Sequence, residues 1–339
     1  MKLEDLEKRL KKGILDSLYL LYGEEKYLLE CNLKKIINLF GKTIKGINYV
    51  SIDENDVKEL IPNIETPSFG FEKKLIVVKN SGLFKKEARS KDKKNNTSEK
   101  GKIIEYLKNN FENVKTDVIL VFAEDEADNK EFVSFIEKNG IVCNFELQKP
   151  IQIQSRLKAI TNAYKVNISA QDLNYFIECA GTNMQDLINE IRKLIEYAGE
   201  NGTITKQDID ELTIKKIESI IFDLTDSLGK KQTKRAIETL RNLIIAKEPI
   251  QKILITLYGH FKKLYLAKLA LKDNIDIIKA LDLKPNQTFL VNKYKGQAGY
   301  FNENEIRRIL KELIDLDYKY KIGLIDLNIG FESILCAYC

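Results

Sequence analysis

Short apolar runs alternate with amphipathic stretches over the first ~145 residues. SLYLLYG (17–23), INYVSID (47–53), KKLIVVKN (73–80), TDVILVFAED (116–125) and IVCNFEL (141–147) read as strands. Between them, EEKYLLECNLKKIINLF (24–40) places Leu28, Cys31, Ile36 and Leu39 at helical spacing. NDVKELIPNI (55–64) reads as a short helix stopped by Pro62, and KIIEYLKNNF (102–111) and NKEFVSFIEKNG (129–140) as two more helices. Apolar strands alternating with helices predict a parallel α/β sheet. After Pro150 the strand signal ends. Three helical stretches follow, with Ser169 and Asn183 as N-caps and Gly181 and Gly199 at the C-terminal ends. TITKQDIDEL closes this group near residue 212, and longer helical stretches run to the C-terminus as a bundle. The expected division is therefore an α/β domain at 1–147, a small helical domain at 148–212 and a helical domain at 213–339.

Composition adds location to this picture. The chain has 339 residues, 44% hydrophobic and 31% charged, a globular balance. No apolar run is long enough to span a membrane, and the N-terminal stretch MKLEDLEKRLKKG lacks the apolar core of a signal peptide. Five scattered cysteines, an odd count, fit a reducing compartment, so a cytoplasmic location is expected. Cys336 and Cys339 lack partner ligands for a zinc site, and no metal or other cofactor is expected. Residues 84–102 hold eight Lys/Arg against three acids and so carry the whole net charge of +5. Such a segment is either a solvated insertion or a basic arm near nucleic-acid phosphates, through Lys85, Lys86, Arg89, Lys91, Lys93 and Lys94. No aromatic residue is interleaved to stack on bases.

Candidate chemistry narrows the function by exclusion. An α/β domain before a small helical domain suggests a nucleotide-binding ATPase, whose phosphate loop should follow the first strand. Here Gly23-Glu24-Glu25-Lys26-Tyr27-Leu28 stands in that place, without the second glycine, the paired lysine or the hydroxyl. Its two glutamates would repel triphosphate. VILVFAEDEAD (118–128) has the form of a strand ending in magnesium-binding acids, but reads as a buried strand and a solvated acidic turn. The one histidine, His260, lies among apolar and aromatic residues and reads as a packing side chain. No catalytic residue is assigned.

One stretch calls for a partner. ETPSFGFEKKLIVVKN (65–80) ends in an apolar strand, Leu75–Val78, and begins with a Pro/Gly turn carrying Phe69 and Phe71. From the residues alone, the two rings either pack beneath the strand or stand out for a partner to bury.

The chain resembles the delta subunit of bacterial DNA polymerase III, a clamp-loader subunit with a degenerate AAA+ domain. The resemblance rests on YLLYGEEKYLLE, PSFGFEKKLIVVKN, VILVFAEDEADNKEF, NMQDLINEIRKLIEYAG, TITKQDIDEL, FDLTDSL and LIDLDYKYKIGLID, in that order along the chain. It implies a degenerate ATPase sheet, a helical lid and a C-terminal collar that joins other loader subunits. It implies binding and opening of the sliding clamp for loading onto primed DNA, without ATP bound by this subunit. It further implies a subunit of a DNA-directed DNA polymerase holoenzyme. Family members plug an apolar pair into the clamp, and the matching residues are Ser68 and Phe69, within a tip formed by Pro67, Ser68, Phe69, Gly70 and Phe71. Ser68 departs from the large apolar residue usual there, and Phe71 is the candidate to compensate. The resemblance places Phe69 outward and leaves Phe71 open. Two other readings stand beside it: an active loader ATPase, and a nucleic-acid-binding module acting through residues 84–102.

Overall fold

Alternating apolar runs build one sheet. β1 (Leu18–Tyr22), β2 (Tyr49–Ile52), β3 (Lys74–Lys79), β4 (Val118–Glu124) and β5 (Ile141–Asn144) lie in the order β2-β3-β4-β1-β5. Every neighbouring pair is parallel, with Leu20 opposite Phe122 and Ile76 opposite Leu120. The computed structural model describes residues 1–85 and 99–337. Parallel neighbours need crossovers, which α2 (Lys26–Phe40), α3 (Leu60–Glu65), α4 (Glu99–Asp117) and α5 (Lys130–Asn139) supply.

Strand alternation sends side chains to two cores. Leu18, Leu20, Ile76, Val78, Leu120 and Phe122 face one side, covered by Leu60, Leu107, Phe111, Phe132 and Ile136 of α3, α4 and α5. Tyr19, Leu21, Leu75, Val77, Ile119 and Val121 face the other. There Leu28, Leu33 and Ile36 of α2 join Leu3, Leu6 and Leu10 of α1 (Leu3–Lys11), the amphipathic N-terminal stretch. The sheet is thus buried on both faces, which is why its strands are continuous apolar runs.

Two expectations need correction. Pro62 does not stop a helix; it is the third residue of α3, preceded by a 3-10 turn at Val57–Glu59. First-turn N–H groups have no intrahelical acceptor, so a proline ring is tolerated there. Helix α4 runs to Asp117, so Thr116 and Asp117 are helical and β4 begins at Val118.

The chain divides into two compact units, Met1–Leu147 and Gln148–Cys339. The second opens with α6 (Pro150–Ala163), α7 (Ala170–Ala180), α8 (Met184–Ala198) and α9 (Lys206–Leu212), beside a two-residue parallel pairing of Asn167–Ile168 with Thr203–Ile204. Ser169, Asn183 and Thr205 cap α7, α8 and α9 by accepting from the third helical N–H, an arrangement readable from the sequence at the first two. Then come α10 (Ile217–Gly229), α11 (Thr233–Ile245), α12 (Ile250–Lys272), α13 (Ile277–Ala280), α14 (Leu290–Ala298), α15 (Glu303–Lys321) and α16 (Leu327–Ala337). Their core runs from Ile221 and Leu224 through Leu257, Phe261 and Leu264 to Ile309, Leu313 and Phe331. Ion pairs Lys216–Asp186 (2.7 Å) and Lys293–Glu178 (2.8 Å), with the Asn286 amide donating to Thr182 Oγ1 (2.9 Å), tie the bundle to α7 and α8. Among the described residues, no helix is long and apolar enough to cross a membrane.

Candidate functional site

The loop from Thr66 to Lys73 joins α3 to β3 at the N-terminal edge of the sheet. Its first end is fixed by Lys74, the first residue of β3. Lys74 is only 2% exposed. Its parity places it on the side of Ile76 and Val78, the face that α3 covers. There its ammonium donates to the carbonyls of Asn63 (2.9 Å) and Thr66 (2.6 Å), the orphan acceptors at the end of α3. Burial holds its pKa below the usual lysine value. Thr66 adds its own N–H and hydroxyl to the carbonyl of Pro62.

The tip itself is a four-residue turn, Ser68–Phe71. The Phe71 N–H donates to the Ser68 carbonyl at 2.9 Å, and Gly70, third in the turn, has φ +78°. A positive φ at that position is what a type II turn requires, and only glycine takes it without strain. Phe69 is second in the turn and 75% exposed. Pro67 and Gly70 are exposed, while Ser68 and Phe71 are half-buried. Phe71 lines a surface groove of about 470 Å³ with Leu15, Phe40, Asn48 and Ile119 of its own unit. Ser68 turns back on the loop: its hydroxyl donates to the Phe71 carbonyl at 2.9 Å. The two phenylalanines therefore have different fates, Phe69 outward and Phe71 partly sheltered.

The basic segment begins elsewhere. Lys85 is exposed beyond the C-terminal end of β3, whereas the tip precedes its N-terminal end. The six residues of β3 that lie between them in the chain span roughly 20 Å. Lys86, Arg89, Lys91, Lys93 and Lys94 lie outside the described residues.

At the C-terminal edge of the sheet, where an ATPase of this topology would hold its phosphates, the space after β1 is occupied. A Cβ on Gly23 would stand 2.4 Å from the carbonyl oxygen of Phe145. The Glu25 N–H donates to that same oxygen at 2.9 Å, so this amide is spent before α2 begins. Lys26 is ion-paired with Asp125 beyond β4. Glu124, the first of the acids in that run, is the last residue of β4 and 4% exposed. One of its oxygens accepts from the N–H (2.9 Å) and hydroxyl (2.5 Å) of Ser81. Burial raises its pKa against those hydrogen bonds. Among the described residues no cluster of His, Cys, Asp or Glu could hold a metal ion.

His260 is buried on α12. The Gln297 amide nitrogen donates to the Phe222 carbonyl (2.9 Å) and to Asp226 (2.6 Å), which leaves its oxygen to accept from His260 Nε2 at 2.8 Å. The imidazole thus ties α10, α12 and α14 together, and burial lowers its pKa to about 4.

Sequence reasoning missed Lys74, because a Lys-Lys pair before a strand reads as a solvated flank. The signal was its parity with Ile76 and Val78. In the sequence Ser68 shows only as an absent apolar side chain; its hydrogen bond depends on turn geometry that composition does not carry.

Residues 19–146 match the family described as "DNA polymerase III, delta subunit", and residues 218–338 match "DNA polymerase III delta subunit, C-terminal domain". The chain is 23% identical over 337 residues to DNA polymerase III subunit delta of Bacillus subtilis (strain 168), covering 98% of this chain and 95% of the relative. It is 28% identical over 313 residues to a probable DNA polymerase III subunit delta of Aquifex aeolicus (strain VF5), covering 89% and 85%. It shares the fold of the solved Bacillus subtilis DNA clamp loader delta protein, with a TM-score of 0.72, 21% identity and 99% of both chains covered. Two matched regions, one over the sheet that carries the tip and one over the terminal bundle, place this chain in the DNA polymerase III delta subunit family.

Proposed function

We propose that this chain is the clamp-loader subunit that docks on the sliding clamp through the Phe69 tip and holds it open for loading onto primed DNA. The observation that carries the reading is Phe69: an aromatic ring 75% exposed at the summit of a hydrogen-bonded turn. A large apolar side chain held out on an ordered loop is an anchor waiting for a pocket, and such anchors contribute about 2 kcal/mol or more each. A plug of this kind opens a ring only if it binds the open form more tightly than the closed one. No nucleotide chemistry in this subunit is needed for that step. The closed space after β1 and the Glu24–Glu25 pair support a subunit that leaves ATP to its neighbours.

Residues 148–212 then act as the lid and 213–339 as the collar through which other loader subunits assemble. Ile314, Tyr318 and Ile322, exposed at four-residue spacing on and just past α15, support an interface on the collar. The basic segment at 84–102 approaches DNA within the assembled loader, in the cytoplasm.

The test is a calorimetric titration of the full-length chain with the sliding clamp of the same organism, without nucleotide. The parent chain binds, and Phe69→Ala binds at least tenfold more weakly with an unchanged circular dichroism spectrum. Equal affinities would remove Phe69 from the interface and take this reading with it.

A further inference from the structure

Ser68 opens the turn and contributes no large apolar side chain, yet it makes the contact that closes the turn. Its carbonyl accepts from the Phe71 N–H at 2.9 Å, and its hydroxyl donates to the Phe71 carbonyl at 2.9 Å. These two bonds run in opposite directions between the same two residues, across Phe69 and Gly70. They form a clasp. Below it, Lys74 and Thr66 fix the start of the loop to the end of α3, and Phe71 lies in the groove with Leu15, Phe40 and Ile119. Phe69 alone is left projecting, with Gly70 at φ +78° and open space around it.

We infer that Ser68 is a positioning residue: its hydroxyl holds the Ser68–Phe71 turn in the binding-ready shape, so that one aromatic anchor does the work of docking. This rests on the clamp-docking reading above. The physical argument concerns the free state. A loop that must order on binding weakens affinity by the fraction of time it spends in the competent conformation. Phe69 has two rotatable side-chain bonds, so most of the freedom it could lose lies in the backbone that carries it. A hydroxyl that bridges the turn removes that freedom in advance. A large apolar residue at the same position would add contact area but leave the turn unclasped.

The experiment uses the full-length chain and the sliding clamp, with five variants and two readouts. Ser68→Ala removes the hydroxyl and is expected to weaken binding about fivefold, the value of one hydrogen bond of this kind. Ser68→Thr keeps the hydroxyl and is expected within about twofold of the parent chain. Ser68→Leu offers apolar area without the clasp and is expected to behave like Ser68→Ala. In the Phe69→Ala background, Ser68→Ala is expected to cost nothing further, because no anchor is left to position. Amide exchange at Phe71 is expected to quicken in Ser68→Ala and Ser68→Leu and to stay at the parent rate in Ser68→Thr. Tighter binding by Ser68→Leu would overturn the inference, since position 68 would then be a contact site. So would a full additional loss from Ser68→Ala in the Phe69→Ala chain. If Phe69→Ala weakens binding while Ser68→Ala matches the parent, the clasp alone falls; if Phe69→Ala itself changes nothing, the docking reading falls first.

Discussion

Lowering the pH from 7 to 5 isolates the buried histidine of α12. His260 is the one histidine in the chain and 5% exposed, and burial lowers its pKa from 6.5 to about 4. In the unfolded chain the imidazole takes a proton near pH 6.5, but the folded chain refuses that proton until about pH 4. The stability it contributes is therefore fully present above pH 6.5, is lost as pH falls through that value, and stops falling below about pH 4, where both states are charged. The two values give a loss of about 0.8 kcal/mol at pH 6 and about 2 kcal/mol at pH 5. Glu124 and Asp223, whose pKa values burial raises, act with the opposite sign. A difference measurement removes them. His260→Gln cannot titrate, and its amide can still donate to Gln297. Urea unfolding of both chains, followed by circular dichroism at pH 7, 6 and 5, should show the parent losing about 2 kcal/mol relative to the variant between pH 7 and 5. A difference that stays constant across that range would mean that His260 titrates normally, and its burial within the bundle would be wrong.

Three further outcomes follow from contacts already described. Lys74→Met leaves the carbonyls of Asn63 and Thr66 without their donor and is expected to cost about 1–3 kcal/mol in urea unfolding, with faster amide exchange across 66–73. An unchanged midpoint and exchange rate would show that solvent replaces the ammonium at no cost. Gly23→Ala places a Cβ about 2.4 Å from the Phe145 carbonyl at a backbone φ of +131°, so the soluble folded yield should collapse, whereas Gly70→Ala meets no atom within 4 Å and should cost only about 1 kcal/mol of backbone strain. Equal effects would deny the tight approach after β1. Titration of the isolated chain with magnesium–ATP should give no binding heat up to millimolar concentration, and saturable binding would revive an active nucleotide site.

The sheet was legible because both of its faces are buried. Strands such as Leu75–Val78 and Val118–Ala123 have no polar face to dilute the apolar signal, and their spacing leaves room for crossover helices. Boundaries were less legible wherever a residue's role is set by what lies across from it. Pro62 looks like a terminator until the helix is seen to begin two residues before it. Thr116 and Asp117 precede an apolar run and look like strand, but α4 continues to the first residue of β4. Lys74 and Glu124 follow the same rule at opposite ends of the sheet. Each is a charged residue at a strand terminus, where sequence favours solvent, and each is buried because neighbouring backbone groups lack partners that it can satisfy.

The tip obeys the converse logic. From the residues alone its two rings could pack or stand out; Phe71 is half-buried and Phe69 is 75% exposed. What separates them is the turn. Two residues apart across a glycine of positive φ, the rings cannot share a direction as alternate strand residues would. The turn that Ser68 closes leaves Phe71 lining the groove and Phe69 exposed to solvent. An exposed phenylalanine is thus the direct consequence of a satisfied local hydrogen-bond pattern. A turn whose hydrogen bonds are met while one ring stays out is what a binding tip should show, since the missing burial has to come from another molecule.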